Sequence, residues 1–177
     1  MGNLIDVSEV PMKKLFLALL IPLMSMPAAG NDQTIGKIAL ISISIEVNGK
    51  PTLLVLLAAD GTINRMGEGT EDSTDEPFVI DRTTKDYFAQ LRSLVKPDWF
   101  PYLGSLWDLP NKKGKSAKLT VSFAFEDGTQ NGHMFKYGTE SEGPPGEIRE
   151  FVYKALDLTD SWYEEWKKKS NTNPSLK

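Results

Sequence analysis

The fold of this chain follows from one stretch, Ile41-Ser42-Ile43-Ser44-Ile45-Glu46-Val47-Asn48-Gly49. Apolar and polar residues alternate along it, which predicts a strand with one buried face and one polar face. Asn48-Gly49 supplies the positive φ angles of a tight hairpin turn. The apolar run from Leu53 to Ala59 predicts a strand covered on both faces. Asp60-Gly61 then turns the chain into a third strand around residues 62–66, completing an antiparallel meander.

The rest of the chain predicts helices around a second hairpin. An apolar stripe over residues 87–95 indicates an amphipathic helix that Pro97 ends. Alternation returns over residues 119–125, and Asp127-Gly128 turns the chain into a partner strand around 133–137. A stripe over 148–156 predicts a second helix, and Asp160 is the expected cap of a third. The predicted fold is α+β, with one antiparallel sheet of about five strands, two or three helices on one face, and the order βββ-α-ββ-α-α.

Two turns of this predicted sheet repeat one motif. Asp60-Gly61-Thr62-Ile63-Asn64 and Asp127-Gly128-Thr129-Gln130-Asn131 share Asp-Gly-Thr-x-Asn, and each is followed by a loop and an amphipathic helix. The chain can therefore be interpreted as two ββα halves. Convergence explains the repeat equally, because Asp-Gly suits such turns on its own.

The N-terminal region predicts export. Lys13-Lys14, an apolar run from Leu15 to Met26, and the small residues 27–30 form the pattern of a secretory signal peptide over 12–30, cleaved after Gly30. A retained membrane anchor is the alternative, but the run is short for a span and Pro22 interrupts it. Residues 1–11 then form an upstream extension, 31–168 a single globular α+β domain, and 169–177 a flexible tail.

Composition narrows the compartment and the chemistry. The 177 residues include no cysteine, which excludes disulfides, thiol nucleophiles and thiolate metal sites. Together with the predicted leader, this favours a bacterial periplasmic or secreted protein without a stable membrane anchor after cleavage. The net charge of −4 gives no reason to expect nucleic acid as a partner. No cofactor and no metal ion are predicted.

The residue types that carry chemistry form no recognisable catalytic set. His133 is the only histidine, and no Gly-x-Ser-x-Gly elbow accompanies it, so we interpret it as an ordinary strand residue. The acidic loop 67–77 lacks the ligand spacing of a calcium loop and is expected to be solvated. No pair of carboxylates is singled out for glycoside chemistry. We therefore expect no enzyme, although the sequence does not decide the matter.

An aromatic segment carries the strongest binding signal. Its members are Trp99, Phe100, Tyr102 and Trp107, between the first helix and the second hairpin. Large aromatic side chains dominate interface hot spots, and their faces stack on sugars. They also fasten long connections onto a core, so burial of this segment is the alternative.

These observations lead to a functional hypothesis. We expect an exported non-enzymatic binding module, an inhibitor or accessory partner of an envelope or secreted protein. An envelope-glycan hydrolase or a carbohydrate-binding protein is the alternative. The order of elements over residues 50–158 is loosely similar to small bacterial protease-inhibitor domains of the emfourin kind, which implies an inhibitor, but no specific motif is shared.

Overall fold

The computed structural model describes residues 34–70, 72–73 and 76–172, with side chains as far as Lys169. The predicted extension 1–11 and leader 12–30 lie outside these residues, as does the end of the predicted tail, 173–177. The strands are β1 (Ile38–Val47), β2 (Lys50–Ala58), β3 (Thr62–Met66), β4 (Val79–Arg82), β5 (Leu106–Asp108), β6 (Ser116–Phe125) and β7 (Gln130–Gly138). The helices are α1 (Tyr87–Arg92) and α2 (Gly146–Thr172), with 3-10 segments at Ile35–Lys37 and Pro97–Tyr102.

The alternating stretch forms the central strand. β1 pairs antiparallel with β2 on one side and with β6 on the other. Ile41 and Ile43 are buried, whereas Ser42 and Ser44 on the opposite face are only half-buried. The turn between β1 and β2 has φ angles of 50° at Asn48 and 75° at Gly49, as the Asn-Gly pair predicts. The meander and the second hairpin therefore form as expected.

The class α+β is confirmed, and the sheet is larger than predicted. Within the described residues it has seven strands in the order β4-β3-β2-β1-β6-β7-β5. The additional strands, β4 and β5, occupy the two edges, and β5 runs parallel to β7, so the sheet is mixed. Neither strand is long enough to show a clear period of two, because β4 has four residues and β5 has three. β4 pairs with β3 across the acidic loop, and β5 pairs with β7, which follows it only after β6.

The hydrophobic core lies on one face of the sheet and both helices pack there. The strand residues pointing to this face are paired in register, for example Ile43 with Val121 and Val121 with His133. The buried apolar residues on the helices are Tyr87, Phe88, Leu91, Ile148, Phe151, Val152, Ala155 and Leu158. This arrangement agrees with the prediction of helices on a single face.

The two C-terminal helices expected from the sequence are one helix, so the prediction of a cap at Asp160 is wrong. α2 continues from Gly146 to Thr172. Asp160 does not start a new helix. Its carboxylate accepts a hydrogen bond from Arg65 Nη1 on the neighbouring strand β3, at 3.1 Å, instead of capping a helix N-terminus. Tyr163, in the following turn, is fully buried and continues the apolar face of the helix.

A buried arginine fastens this long helix to the sheet. Arg65 on β3 is fully buried. It donates hydrogen bonds to the Gly67 carbonyl oxygen (2.9 Å), Thr159 Oγ1 (2.6 Å) and Glu68 Oε2 (2.8 Å), and its guanidinium lies 5.2 Å from the centre of the Tyr163 ring. We call Arg65 and these contacts the Arg65 clamp. It joins β3, the start of the acidic loop and α2.

The repeated Asp-Gly-Thr motif has the same geometry in both hairpins. Asp60 Oδ1 accepts a hydrogen bond from Thr62 N at 2.9 Å, and Asp127 Oδ1 accepts one from Thr129 N at 2.9 Å. The glycines that follow the aspartates both have positive φ, 87° at Gly61 and 82° at Gly128. Because turn chemistry alone accounts for this likeness, an internal duplication stays a prediction.

Candidate functional site

The aromatic segment lies at one edge of the sheet. Pro97–Tyr102 forms a 3-10 helix, and Gly104, with φ of 87°, redirects the chain into β5. Backbone hydrogen bonds from Gly104 N to Gly132 O (2.6 Å) and from Leu109 N to Lys136 O (2.9 Å) hold β5 against β7. The register pairs Trp107 with Phe135, which places Trp107 on the same face of the sheet as the helices. The segment therefore closes the side of the core.

The four predicted binding residues divide into two pairs. Trp99 is buried in the core, where its ring meets Phe151 edge-on at a centroid distance of 5.3 Å. Phe100 is partly buried against Phe125. Tyr102 and Trp107 remain exposed, at 53% and 39%, with their rings 6.0 Å apart. The first pair fastens the segment to the core, and only the second pair is available to a partner.

An open cleft connects these aromatic residues to the start of α2. Its volume is about 340 Å³. Aromatic walls and two carboxylates line it, and we call it the aromatic cleft. The lining residues that matter here are Asp98, Trp99, Tyr102, Trp107, His133 and Glu147. Sequence reasoning found three of its aromatic walls, and the structure adds the polar residues between them.

Glu147 anchors the cleft at the first turn of α2, where a carboxylate also complements the helix dipole. Its Oε1 accepts a hydrogen bond from Trp99 Nε1 at 3.1 Å, and its Oε2 accepts one from Lys96 Nζ at 2.6 Å. The pairing with Lys96, assisted by the Trp99 hydrogen bond, lowers the pKa of Glu147 below its ordinary value, against a smaller opposing effect of burial. Glu147 is therefore a carboxylate at neutral pH.

His133 lies on β7 and is buried at the cleft. Burial lowers the pKa of its ring below 6.5, although a hydrogen bond with the Trp99 backbone opposes this. Its Nε2 has no hydrogen-bond partner among the described residues.

Sequence reasoning did not assign His133 to a site. The available signal was its position in the alternating strand, on the same side as Phe135 and Tyr137. Because β7 pairs with β6 and His133 lies directly opposite the buried Val121, the alternation places His133 on the core face of the sheet. Its proximity to Trp99, at a ring distance of 6.4 Å, depends on how the 3-10 segment folds back and could not be predicted locally.

No protein-family model matches this chain, and no curated protein matches it. The likeness to emfourin-type inhibitor domains therefore stays a prediction. Any function proposed for this protein has to be argued from its own residues.

The acidic loop is tied down where the structure describes it. Glu68 and Glu76 lie 3.5 Å from Lys167 Nζ, and Glu76 Oε2 accepts a hydrogen bond from Tyr163 Oη at 3.0 Å. Among the residues described, no group of three or more histidine, aspartate or glutamate side chains is placed to hold a metal ion. Residues 71, 74 and 75 of this loop lie outside the described part of the chain.

Within the described residues, none of the helices combines the length and apolar character needed to cross a bilayer.

Proposed function

We propose that this protein is an exported, non-enzymatic binding module that recognises an envelope or secreted protein through the aromatic cleft. The observation that supports this most is the grouping of exposed apolar side chains. Six large apolar residues are exposed in the described part of the chain, and two of them, Tyr102 and Trp107, line the cleft together with their rings 6.0 Å apart. Grouped apolar exposure is a feature of protein interaction sites, whereas single exposed residues are ordinary.

The charge state of Glu147 argues against the hydrolase alternative. A glycosidase needs one carboxyl group whose pKa is raised, so that it can protonate the leaving group. Glu147 has the opposite character, because Lys96 and Trp99 favour its ionised form. The neutral His133 ring has the Trp99 backbone as its hydrogen-bond partner, and this contact does not form a catalytic triad.

Carbohydrate binding is the second candidate. Its support is the combination of the exposed Tyr102 and Trp107 rings with the carboxylates of Asp98 and Glu147 in one cleft. Aromatic faces stack on the apolar faces of sugars, and carboxylates accept hydrogen bonds from their hydroxyl groups.

Capture by the immobilised full chain tests the proposal. Envelope and culture-fluid extracts are passed over the wild type, over a double variant with Tyr102→Ser and Trp107→Ser, and over Tyr153→Ser. Tyr153 is an exposed aromatic residue (65%) on α2 and is not part of the cleft, so its variant is the matched control. We expect one protein to be retained by the wild type and the control and lost from the double variant. Retention by all three chains would contradict the proposal, and a glycan with the same dependence would favour carbohydrate binding.

A further inference from the structure

The charged groups of the aromatic cleft are unbalanced. Asp98 and Glu147 are both among its lining residues, and no lysine or arginine lines it. Lys96 offsets part of the charge of Glu147 and interacts with Asp98 as well, but it is one positive charge beside two carboxylates and is not among the lining residues. His133 adds no positive charge at neutral pH, because burial favours its neutral ring. The cleft is therefore a negatively charged site in a chain whose net charge is also negative, −4.

The uncharged features of the cleft also suit a cation. Tyr102 and Trp107 present exposed aromatic rings, whose faces attract cations. His133 lines the cleft as well, and its Nε2 is buried with no hydrogen-bond partner among the described residues. These features together match a positively charged ligand that only donates hydrogen bonds and has a planar apolar face. Arginine is the side chain with this combination, since its guanidinium has five donors and no acceptor and stacks on aromatic faces.

The same molecule already contains one site of this kind. In the Arg65 clamp, a guanidinium lies over the Tyr163 ring and pairs with the carboxylates of Glu68 and Asp160. Those contacts hold Arg65 fully buried. The aromatic cleft offers an aromatic ring and two carboxylates as well, but its arginine has to come from elsewhere.

We propose that the aromatic cleft binds an exposed arginine side chain of the partner protein. This inference rests on the proposed function and names the group that the partner inserts. Exposed Tyr102 and Trp107 contact the guanidinium face, Asp98 supplies most of the electrostatic attraction, and Glu147 accepts hydrogen bonds. Lys96 keeps its ion pair with Glu147 Oε2.

A titration with small probes tests the arginine inference without the partner. N-acetyl-arginine amide, N-acetyl-lysine amide, N-acetyl-citrulline amide and N-acetylglucosamine are added separately to the isotope-labelled full chain, and NMR follows the Trp107 indole and His133 ring signals. Citrulline has nearly the shape of arginine and no charge. We expect saturable shifts with arginine amide, affinity lower by roughly threefold to tenfold for citrulline amide, and weakening with added salt.

Two variants sharpen the titration. Asp98→Asn should weaken arginine amide binding, whereas Asp157→Asn, which removes an exposed carboxylate paired with Lys154 away from the cleft, should leave it unchanged. Equal binding of citrulline amide, preference for lysine amide, shifts with N-acetylglucosamine alone, or no shift with any probe would each overturn the inference.

Different results would contradict the binding-module proposal and the arginine inference. A captured protein that depends on Trp107 and is not displaced by excess arginine amide would overturn the arginine inference and leave the binding module intact. Specific arginine amide binding at the cleft, together with no captured protein, would support the cleft chemistry and contradict the protein-binding function.

Discussion

At the level of single residues, two buried polar side chains, Arg65 and His133, tell most about how the fold and the cleft are held together. Arg65 is fully buried, and its guanidinium donates to two backbone carbonyl oxygens, a threonine hydroxyl and two carboxylates. His133 is buried with one ring nitrogen lacking a partner among the described residues. A buried polar group without its hydrogen bonds is costly, so a satisfied arginine strengthens the fold and an unsatisfied histidine marks a place where a ligand can contribute.

Replacing Arg65 by methionine should destabilise the protein by about 2–4 kcal/mol, because Thr159 and the Gly67 carbonyl lose their hydrogen-bond donor inside the structure. The cost stays below that of a fully buried ion pair, since Glu68 and Asp160 are partly exposed and water can solvate them. Urea denaturation measures the change. Arg82→Met is the matched control, because Arg82 is an exposed arginine with one carboxylate partner, and it should change the unfolding free energy very little. Equal effects of the two substitutions would contradict the role assigned to the clamp.

His133 should make the stability of the protein depend on pH. Because burial lowers its pKa in the folded state, the unfolded chain takes up a proton at a higher pH than the folded chain does. The contribution of His133 to the free energy of unfolding is therefore fully present above pH 6.5, the ordinary pKa of histidine, and is lost as the pH falls below that value. Urea unfolding at about pH 7 and about pH 5 should show a larger loss of stability for the wild type than for His133→Phe. Parallel losses in the two proteins would argue against this contribution.

At the level of elements, the segment between α1 and β6 combines two tasks. Trp99 and Phe100 pack on the core, and Tyr102 and Trp107 remain exposed a few residues later. The 3-10 geometry of Pro97–Tyr102 and the turn at Gly104 separate the two pairs. A simultaneous loss of Trp99 and Trp107 would mix effects on stability and on binding, so the two positions have to be changed separately.

Trp99→Ala should cost about 3–5 kcal/mol of stability, as expected for a large aromatic side chain removed from a core. It also removes the hydrogen bond to Glu147. Trp107→Ala should cost about 1 kcal/mol or less, because the Trp107 side chain is substantially exposed on an edge strand. Thermal and urea unfolding of both variants distinguish them. A larger loss for Trp107→Ala would mean that β5 contributes more to the fold than its exposure indicates.

At the level of the complete fold, a mixed sheet with both helices on one face leaves the aromatic cleft at the edge strand β5. The cleft is built from the 3-10 segment, β5, β7 and the first turn of α2. These parts meet because α2 crosses the core face and starts beside β7. The predicted export of the molecule is a separate proposal, since the leader lies outside the described residues.

Export should produce a chain that begins at Asn31, because the small residues 27–30 suit cleavage after Gly30. The chain is expressed with its own N-terminus in a bacterial host, and mass spectrometry of the periplasmic and culture-fluid fractions gives its start. Changing the hydrophobic centre with Leu19→Arg should hold the uncleaved chain inside the cell. An uncleaved wild-type chain in the membrane fraction would instead favour the retained anchor.

Local sequence was enough to establish the α+β class, the central hairpin and both Asp-Gly turns, because alternation and turn chemistry act within a few residues. Of the four aromatic residues that it singled out, Trp99, Tyr102 and Trp107 line the cleft and Phe100 does not. Local sequence was not enough to establish β4, β5, the unbroken α2 or the place of His133. A strand as short as β5 is stabilised by its pairing with β7. The Asp160 carboxylate accepts a hydrogen bond from Arg65 on a distant strand instead of capping a helix. His133 contacts Trp99 only after the 3-10 segment has folded back onto β7. These contacts join residues far apart along the chain, so they exist only once the whole chain has folded.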